Sequence, residues 1–319
     1  MAYCRILPGG EDGAMKDERP VFRFAPSPNG ALHLGHAYSA LFTAAAAKRF
    51  GGRFLLRIED TDKGRCRSDY VAAIYADLAW LGLQWEQPVR RQSLHLADYA
   101  GALEKLRALG LIYPCFASRK AIADAAAEAG TPAQRDPDGV LLYPGLFRGA
   151  DPACTAARMT AGEPYALRLD MQKALTFASR KYGAALWYES FAKTGQRQRV
   201  DAHPERWGDV VLSGKDSPAS YHLAVVTDDT LQGVTHVTRG MDLLAATDVH
   251  RLLQVLLGLP APLYFHHRLI LDASGRKLAK SHRDKSLHSL RAEGLSAEEV
   301  KRRLGFTAGG DFLQPPAFA

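Results

Sequence analysis

Two histidines near the amino terminus, His33 and His36, are three residues apart with Gly35 between them. They follow a PSPNG turn, where a β-prone run gives way to a helical one. The first turn of a helix presents unpaired N–H groups to phosphate, and imidazole N–H groups can donate to a phosphate oxygen as charge builds on it. Gly35 leaves room for a nucleotide base near the backbone. The segment predicts a phosphate site, although such a pair alone is more often an ordinary helix start.

A second polar group lies far along the chain in KLAKS, which contains Lys277, Lys280 and Ser281 and follows the polar turn DASGR. Two lysines at i and i+3 beside a hydroxyl, on a glycine-flanked loop, can close over the β- and γ-phosphates of ATP. Taken alone, a solvated basic loop is the commoner explanation. Both clusters in one chain favour a shared triphosphate site, and they predict that His36 and Lys280 converge on one cleft.

The elements that would position these residues begin with a short strand at 21–24, a helix over 37–49 and a strand at 54–58, which delivers Glu59 and Asp60 into a loop. Strand, glycine-bearing loop, helix and strand form a βαβ unit, which implies a parallel sheet. Ligands of such sheets bind at the carboxyl ends of the strands. The histidine pair and Glu59 should therefore lie at the same edge of the sheet.

Further along, apolar stripes at helical spacing predict two core-packed helices around 71–78 and 96–106. Proline and glycine then break the periodicity between residues 113 and 206, so we expect an inserted small domain that does not continue the sheet. Regular structure should return with strands at 209–212, 221–226 and 234–237 and a helix at 243–257.

Composition narrows the class of protein. The net charge of +7 suits a polyanionic partner such as nucleic acid or a nucleotide. The four cysteines are scattered with no CxxC pair, so neither a disulfide framework nor a complete zinc signature is present and a reducing cytoplasm is expected. No apolar run reaches the length of a membrane span, and residues 1–20 lack the apolar core of a signal peptide. We expect a monomer.

A family resemblance unites these observations. Five stretches occur in one order between about Arg23 and Lys285: RFAPSPNGALHLGHAYSA, LLRIEDTD, SYHLAVVTDD, GVTHVTRGMDLL and HHRLILDASGRKLAKS. HLGH resembles the HIGH signature and KLAKS the KMSKS signature of class I aminoacyl-tRNA synthetases, and the set resembles the glutamyl/glutaminyl branch of that class. Several motifs in one order are far more specific than any single motif.

The resemblance implies an α/β fold: a Rossmann-like, doubly wound parallel-sheet catalytic domain of the HIGH superfamily with an inserted small α/β domain. The implied division of the chain is a disordered extension (1–20), the first half of the catalytic domain (21–112), an inserted acceptor-type subdomain (113–206), the second half with the KMSKS-like loop (207–285), and a short helical segment and tail (286–319).

The resemblance also implies roles for individual residues. Those matching the family's glutamate contacts are Arg23, Phe24, Ala25, Pro26, Ser27, Glu59, Tyr221 and Arg239. Those matching its ATP contacts are His33, Gly35, His36 and Lys280, and the catalytic set is His33, His36, Lys277, Lys280 and Ser281. These residue types suit the task, because a guanidinium can pair with an acidic side chain in bidentate fashion and Glu59 can offer an anion to the substrate ammonium.

The implied reaction is activation of L-glutamate by ATP, with Mg²⁺ bridging phosphate oxygens. The residues after Ser281 are too few for the anticodon-binding region of full glutamyl or glutaminyl enzymes. The chain therefore resembles a stand-alone paralogue of the branch, whose family attaches glutamate to the queuosine base in the anticodon loop of tRNA(Asp). ATP, L-glutamate and tRNA(Asp) carrying queuosine are the expected partners.

One departure concerns zinc, which members of that paralogue family often bind through a CxC pair followed by Tyr-x-x-x-Cys. Cys115 and Tyr143 remain here, whereas Ala117 and Phe147 replace the other two ligands and Cys154 lies out of pattern. Structural zinc needs four ligands. We expect no zinc, and we expect apolar contacts around Phe116 and Phe147 to hold this region together.

Three alternatives remain open from the sequence. The nearest is a truncated glutamyl-tRNA synthetase that charges a tRNA 3′ end. A small-molecule nucleotidyltransferase of the HIGH superfamily is disfavoured by RFAPS and YHLAVVTDD. A non-catalytic RNA-binding module is disfavoured by the intact HLGH and KLAKS. Glutamate-dependent exchange of pyrophosphate into ATP separates the last from the enzymes.

Overall fold

The structure is a computed structural model, and it describes residues 18–62, 64–128, 134–183, 185–191, 196–271 and 285–312. The expected N-terminal extension falls mostly outside the described residues, as does the whole KLAKS sequence. Within the described ranges, the longest helices are too short or too polar to pass through a lipid bilayer.

Ten strands and ten α-helices are found in the described part of the chain. The strands are β1 (Val21–Phe24), β2 (Arg53–Ile58), β3 (Glu86–Arg91), β4 (Ile112–Cys115), β5 (Ala166–Leu169), β6 (Trp187–Phe191), β7 (Arg197–Asp201), β8 (Val211–Ser213), β9 (His236–Gly240) and β10 (Leu263–His267). The helices are α1 (Leu34–Arg49), α2 (Ser68–Trp80), α3 (Leu96–Ala108), α4 (Arg119–Glu128), α5 (Pro152–Thr160), α6 (Met171–Tyr182), α7 (Tyr221–Leu231), α8 (Ala246–Leu257), α9 (Leu287–Ala292) and α10 (Ala297–Leu304).

The main sheet has seven strands in the order β3-β2-β1-β9-β10-β6-β7, and all neighbours are parallel except β6 and β7. From β1 the chain proceeds outward to β2 and β3 on one side, and later to β9 and β10 on the other. The order of the strands therefore reverses between β1 and β9, which is where open α/β sheets bind their ligands. This confirms the predicted Rossmann-like parallel sheet and the opening β1-α1-β2 unit.

The predicted insert corresponds only in part to separate structure. Strands β4, β5 and β8 form a small antiparallel sheet of their own. Strands β6 and β7 lie within 113–206 but extend the main sheet through β10. The expectation that this whole range leaves the sheet is therefore wrong for β6 and β7. The remaining domain boundaries stay predictions.

One predicted strand is a helix. Residues 221–226, which are apolar and β-branched enough to suggest a strand, begin α7 instead, with the Ser220 hydroxyl accepting from the backbone N–H of Leu223. Seven successive residues from Leu223 to Asp229 are buried. A helix covered on nearly all sides has no polar stripe, so its sequence lacks the period that identifies a surface helix.

The two faces of the main sheet carry different residues. Phe22 and Phe24 of β1 pack with Phe54 and Leu56 of β2 in the core under α1, while Val21 belongs to a cluster on the opposite face. Because side chains alternate along a strand, Arg23 lies on the face away from α1. By the same alternation Arg57 of β2, Arg239 of β9 and His266 of β10 lie on that face, which α7 and α8 cover.

Candidate active site

A cavity of about 500 Å³ opens where the order of the strands reverses. Its walls come from the segments that follow β1, β9 and β10 and from the first turns of α1. The predicted contact residues that line it are Arg23, Phe24, Ala25, Pro26, Ser27, His33, Gly35, His36, Glu59, Tyr221 and Arg239. Every predicted glutamate contact, and every described nucleotide contact, is thus at one cavity, although their roles stay predictions.

The predicted phosphate-binding residues Lys277, Lys280 and Ser281 lie outside the described residues, so their convergence with His36 stays a prediction. The chain on either side of them borders the cavity. Before them, Arg268 and Ile270 line its wall. After them, Ser286 forms a β-bridge with His33.

The histidine pair is oriented by the start of α1. His33 is the N-cap residue, and its Nδ1 accepts from the Gly35 backbone N–H at 3.1 Å, while Nδ1 of His36 accepts from the His33 backbone N–H at 3.2 Å. The two rings lie 3.9 Å apart between centroids. Since each Nδ1 is an acceptor, each neutral ring carries its proton on Nε2. Both histidines are therefore fixed as Nε2 donors.

Gly35 lies against the His33 ring within the protein itself. A Cβ at this position would meet the His33 ring at 3.0 Å, closer than ordinary contacts allow. The absent side chain makes room for the imidazole that caps the helix. The prediction that Gly35 admits a nucleotide base remains untested, while its packing role in the capping motif is clear.

Two buried arginines, Arg23 of the cavity lining and Arg57 of the neighbouring strand, are paired with acids, and we call them the acid-paired arginines. Arg23 Nε lies 3.0 Å from Asp229 Oδ1, and Arg57 Nη1 lies 2.7 Å from the same oxygen. Arg57 also donates to Glu59 at 3.1 Å. Burial alone would raise the pKa of Asp229, but the two guanidinium groups hold it below its usual value. Glu59, the predicted partner of the substrate ammonium, thus already has one cationic partner.

The acidic residue next to Asp229 extends this network to the edge of the sheet. Asp228 is fully buried and accepts from Arg90 at 2.7 Å, from Gln92 at 2.8 Å and from the Tyr99 hydroxyl at 2.9 Å. The carboxylates of α7 therefore tie together side chains from β1, β2, β3 and α3. No local pattern in the sequence indicates this network, because the partners are more than a hundred residues apart.

Arg239, the third buried arginine on this face of the sheet, differs from Arg23 and Arg57 because its hydrogen-bond partners are not acids. Its Nη1 donates to the Tyr221 hydroxyl at 3.2 Å and to His250 Nδ1 at 3.0 Å, its Nη2 to Thr247 Oγ1 at 2.6 Å, and its Nε to His266 Nε2 at 3.1 Å. We call it the histidine-held arginine. It is 4% exposed. Among the residues that the structure describes, no carboxylate pairs with it.

Several cavity residues were not predicted: Ser39, Thr238, Asp242, His267 and Arg268. Ser39 lies one helical turn after His36 and contacts His267 Nε2 at 3.0 Å. The i, i+3 spacing from His36 was a usable signal for Ser39. Asp242 lies against Gly240, where a Cβ would collide with its carboxylate oxygen, so a side chain at 240 would displace Asp242.

The residues of the degenerate zinc motif do not fit the metal. Cys115 and Tyr143 are both buried, whereas Cys154 is exposed on α5. The described residues contain no group of three or more His, Cys, Asp or Glu side chains arranged to hold a metal ion. The predicted contact of Phe116 with Phe147 is present at 5.6 Å between ring centroids. The Arg158 guanidinium lies 4.1 Å from the Phe116 ring centroid, so a cation already packs on this cluster. The absence of zinc stays a prediction.

The fold and the cavity define a class of protein. The sequence matches the family described as "tRNA synthetases class I (E and Q), catalytic domain" over residues 21–311. The chain belongs to this family and is an enzyme of the ligase class. The resemblance drawn from HLGH and KLAKS is therefore confirmed at the level of the family.

Within the family, the chain is similar to relatives with two kinds of name. The chain is 44% identical over 294 residues to the glutamyl-Q tRNA(Asp) synthetase of Rhodobacter capsulatus, with 89% of this chain and 99% of the relative covered. It is 39% identical over 300 residues to the enzyme of the same name from Symbiobacterium thermophilum, with coverage of 90% and 86%. A crystal structure of a glutamate tRNA ligase from Elizabethkingia meningosepticum, in complex with its amino acid, superposes with a TM-score of 0.66 at 27% identity. That match covers 87% of this chain and 54% of the ligase, so the chain spans about half of it.

Proposed function

We propose that this protein activates L-glutamate with ATP as glutamyl-adenylate and transfers the glutamyl group to the queuosine base in the anticodon loop of tRNA(Asp). The observation that carries the glutamate assignment is the histidine-held arginine. A buried guanidinium without a carboxylate partner is costly, and an anionic ligand in the adjoining cavity would offset that cost. The names of the relatives support the choice of nucleic-acid acceptor.

In the first step, the α-carboxylate of glutamate attacks the α-phosphorus of ATP. A bond forms between a carboxylate oxygen and the α-phosphorus, which gives a mixed anhydride, and the bond from the α-phosphorus to the pyrophosphate oxygen breaks. Such a reaction needs little covalent work from the protein, so its rate depends on positioning and on charge stabilisation. The Nε2–H groups of His33 and His36 are the donors proposed for the α-phosphate oxygens. Lys277 and Lys280 are proposed to hold the leaving pyrophosphate.

Glutamate itself is proposed to bind deeper in the cavity. Its side-chain carboxylate would pair with Arg239 and accept from the Tyr221 hydroxyl, while Glu59 would face its ammonium group. Mg²⁺ would enter with ATP as part of the substrate. The described residues offer no cluster of ligands for it, so its coordination would come mainly from phosphate oxygens and water.

In the second step, a hydroxyl oxygen of queuosine attacks the carbonyl carbon of the adenylate. An ester bond forms, AMP leaves, and the hydroxyl proton is released. The net positive charge of the chain suits a tRNA substrate.

The test uses tRNA(Asp) from which the 3′-terminal adenosine has been removed enzymatically. The protein is incubated with ATP, labelled glutamate and either queuosine-containing tRNA(Asp) or the same tRNA with guanosine at that position. We expect label to be retained only on the queuosine form, and mass analysis of its nucleosides should find glutamyl-queuosine. Label that requires the intact 3′ end would instead favour the truncated-synthetase alternative. If no pyrophosphate exchange depends on glutamate, with or without tRNA, the proposal fails entirely.

A further inference from the structure

The acceptors around Arg239 are four neutral side chains from three separate elements. Tyr221 comes from the start of α7, His250 and Thr247 from α8, and His266 from β10, where it is the direct Cα partner of Arg239 in the parallel ladder. His250 and Thr247 are almost wholly buried, at 1% and 0% exposed. A guanidinium has five N–H donors and no acceptor. Four of the five donors have partners among these side chains.

The hydrogen bonds determine which nitrogen of His250 carries its proton. Because Arg239 can only donate, Nδ1 of His250 must be an acceptor, and the proton of the neutral ring lies on Nε2. That nitrogen is 3.2 Å from Nδ1 of His222, which must in turn accept. His250 and His222, which follow Arg239 in this series of hydrogen bonds, are therefore both neutral. A second proton on His250 would set a donor against a donor.

The surroundings favour the same neutral state. Burial lowers the pKa of His250 well below its usual value, and the charge of Arg239 lowers it further. For His222, burial followed by the same charge lowers the pKa to about 4. At neutral pH neither ring carries charge, so the charge of Arg239 is neither increased nor cancelled by its partners.

We propose that His250 and His266 are positioning residues that determine amino-acid specificity: they hold Arg239 with neutral acceptors, so that its charge remains available to the acidic side chain of the substrate. His222 contributes by fixing the His250 tautomer. This inference rests on the proposed function, since it takes glutamate as the ligand of Arg239. The remaining N–H of Nη2 and the Tyr221 hydroxyl proton are the donors left for the ligand.

The contrast with Arg23 shows that the fold could have used a carboxylate. On the same face of the sheet, one strand away, Asp229 of α7 pairs with Arg23 at 3.0 Å. A carboxylate on α8 at the position of His250 would hold Arg239 at least as firmly, because charge-assisted hydrogen bonds are stronger than neutral ones. It would also neutralise the guanidinium and repel a carboxylate ligand.

A matched pair of variants separates these effects. In His250→Asn the Oδ1 atom can replace Nδ1 as a neutral acceptor, and His250→Asp has the same shape with a negative charge. Steady-state exchange of pyrophosphate into ATP, run with tRNA present, gives kcat and KM for glutamate and separately KM for ATP. We expect the Asp variant to raise KM for glutamate on the order of 100-fold, and the Asn variant by less than about tenfold. The KM for ATP should change little in either, and the preference for glutamate over glutamine should fall in the Asp variant alone.

A second pair, His266→Gln and His266→Glu, makes the same comparison through the Nε of Arg239 and serves if a position-250 variant fails to fold. Equal KM values for glutamate within both pairs would overturn the inference while leaving the proposed function intact. If the wild-type protein shows no glutamate-dependent exchange, the proposed function and this inference both fall. A glutamate-specific difference between the charged and neutral members of either pair supports the inference.

Discussion

The acid-paired arginines and the histidine-held arginine lie on neighbouring strands and the same face of the sheet, yet their surroundings are opposite. Arg23 and Arg57 share Asp229, and Arg57 also has Glu59 within 3.1 Å. Arg239 is equally buried but is bonded to imidazole, hydroxyl and phenol groups. Charge that is compensated within the protein stabilises the scaffold, whereas charge left uncompensated beside a cavity is suited to a ligand.

The two regions also differ in how they connect the fold. Asp228 and Asp229 join α7 to three strands of the main sheet. We therefore expect their replacement to destabilise the first half of the domain. The partners of Arg239 come from α7, α8 and β10, and they hold a side chain that lines the cavity together with Tyr221. Substitutions around the acid-paired arginines should therefore affect stability, and substitutions around the histidine-held arginine should affect glutamate binding.

The largest expected effect is on stability. Asp229→Ala leaves two buried guanidinium groups without their shared partner, and breaking a buried pair in this way costs about 3–5 kcal/mol. The change should appear as a lower free energy of unfolding in a denaturant titration. The control is Asp311→Ala, which removes an exposed pair with Lys48 and should cost less than about 1 kcal/mol. Similar losses in the two variants would show that the acid-paired arginines are not structural.

A second expected effect on stability is smaller, and it measures the cost of burying a charged carboxylate. Asp77 is 3% exposed, and its Oδ2 has no hydrogen-bond partner among the described residues. Burial raises its pKa to about 6 from 3.8, against the opposing influence of His288 and Arg291. Since the folded protein holds this proton more tightly than the unfolded chain, stability should fall as the pH rises from about 4 to about 6.

Asp77→Asn should remove that dependence. We expect the variant to be more stable than wild type by on the order of 1–3 kcal/mol at pH 7.5 and no more stable near pH 4. Denaturant titrations at the two pH values measure the difference. A gain of equal size at both would mean that the carboxylate charge is not its cause.

The sequence predicted the part of the fold that depends on local pattern. β1, α1 and β2 follow from short apolar runs and a glycine-bearing turn, and the parallel order of their strands then places His33, His36 and Glu59 at one edge. The apolar, β-branched run 221–226 predicts a strand but begins α7, because a helix that is buried on nearly all sides has no helical period in its sequence. The breaks in periodicity between residues 113 and 206 predict a separate domain, but β6 and β7 within that range belong to the main sheet.

The sequence predicted the site residues that belong to motifs, but it did not predict the residues that hold those side chains in place. Arg239 and Tyr221 came from the family resemblance, and both line the cavity. His250 and His266 have no motif spacing relative to Arg239, and only the register of β10 on β9 and the packing of α8 bring them together. Similarly, nothing local shows that the two aspartates of VVTDD are the partners of arginines on three other strands.

The central claim is that the uncompensated charge of Arg239 selects an acidic amino acid. The most direct measurement is calorimetric titration of L-glutamate and of L-glutamine into the wild-type protein and into Arg239→Gln, with melting temperatures recorded for both. We predict that wild type prefers glutamate, and that the variant loses at least about 100-fold in glutamate affinity, or about 2.7 kcal/mol, while its melting temperature is preserved. A folded variant that binds glutamate as tightly as wild type would contradict the claim.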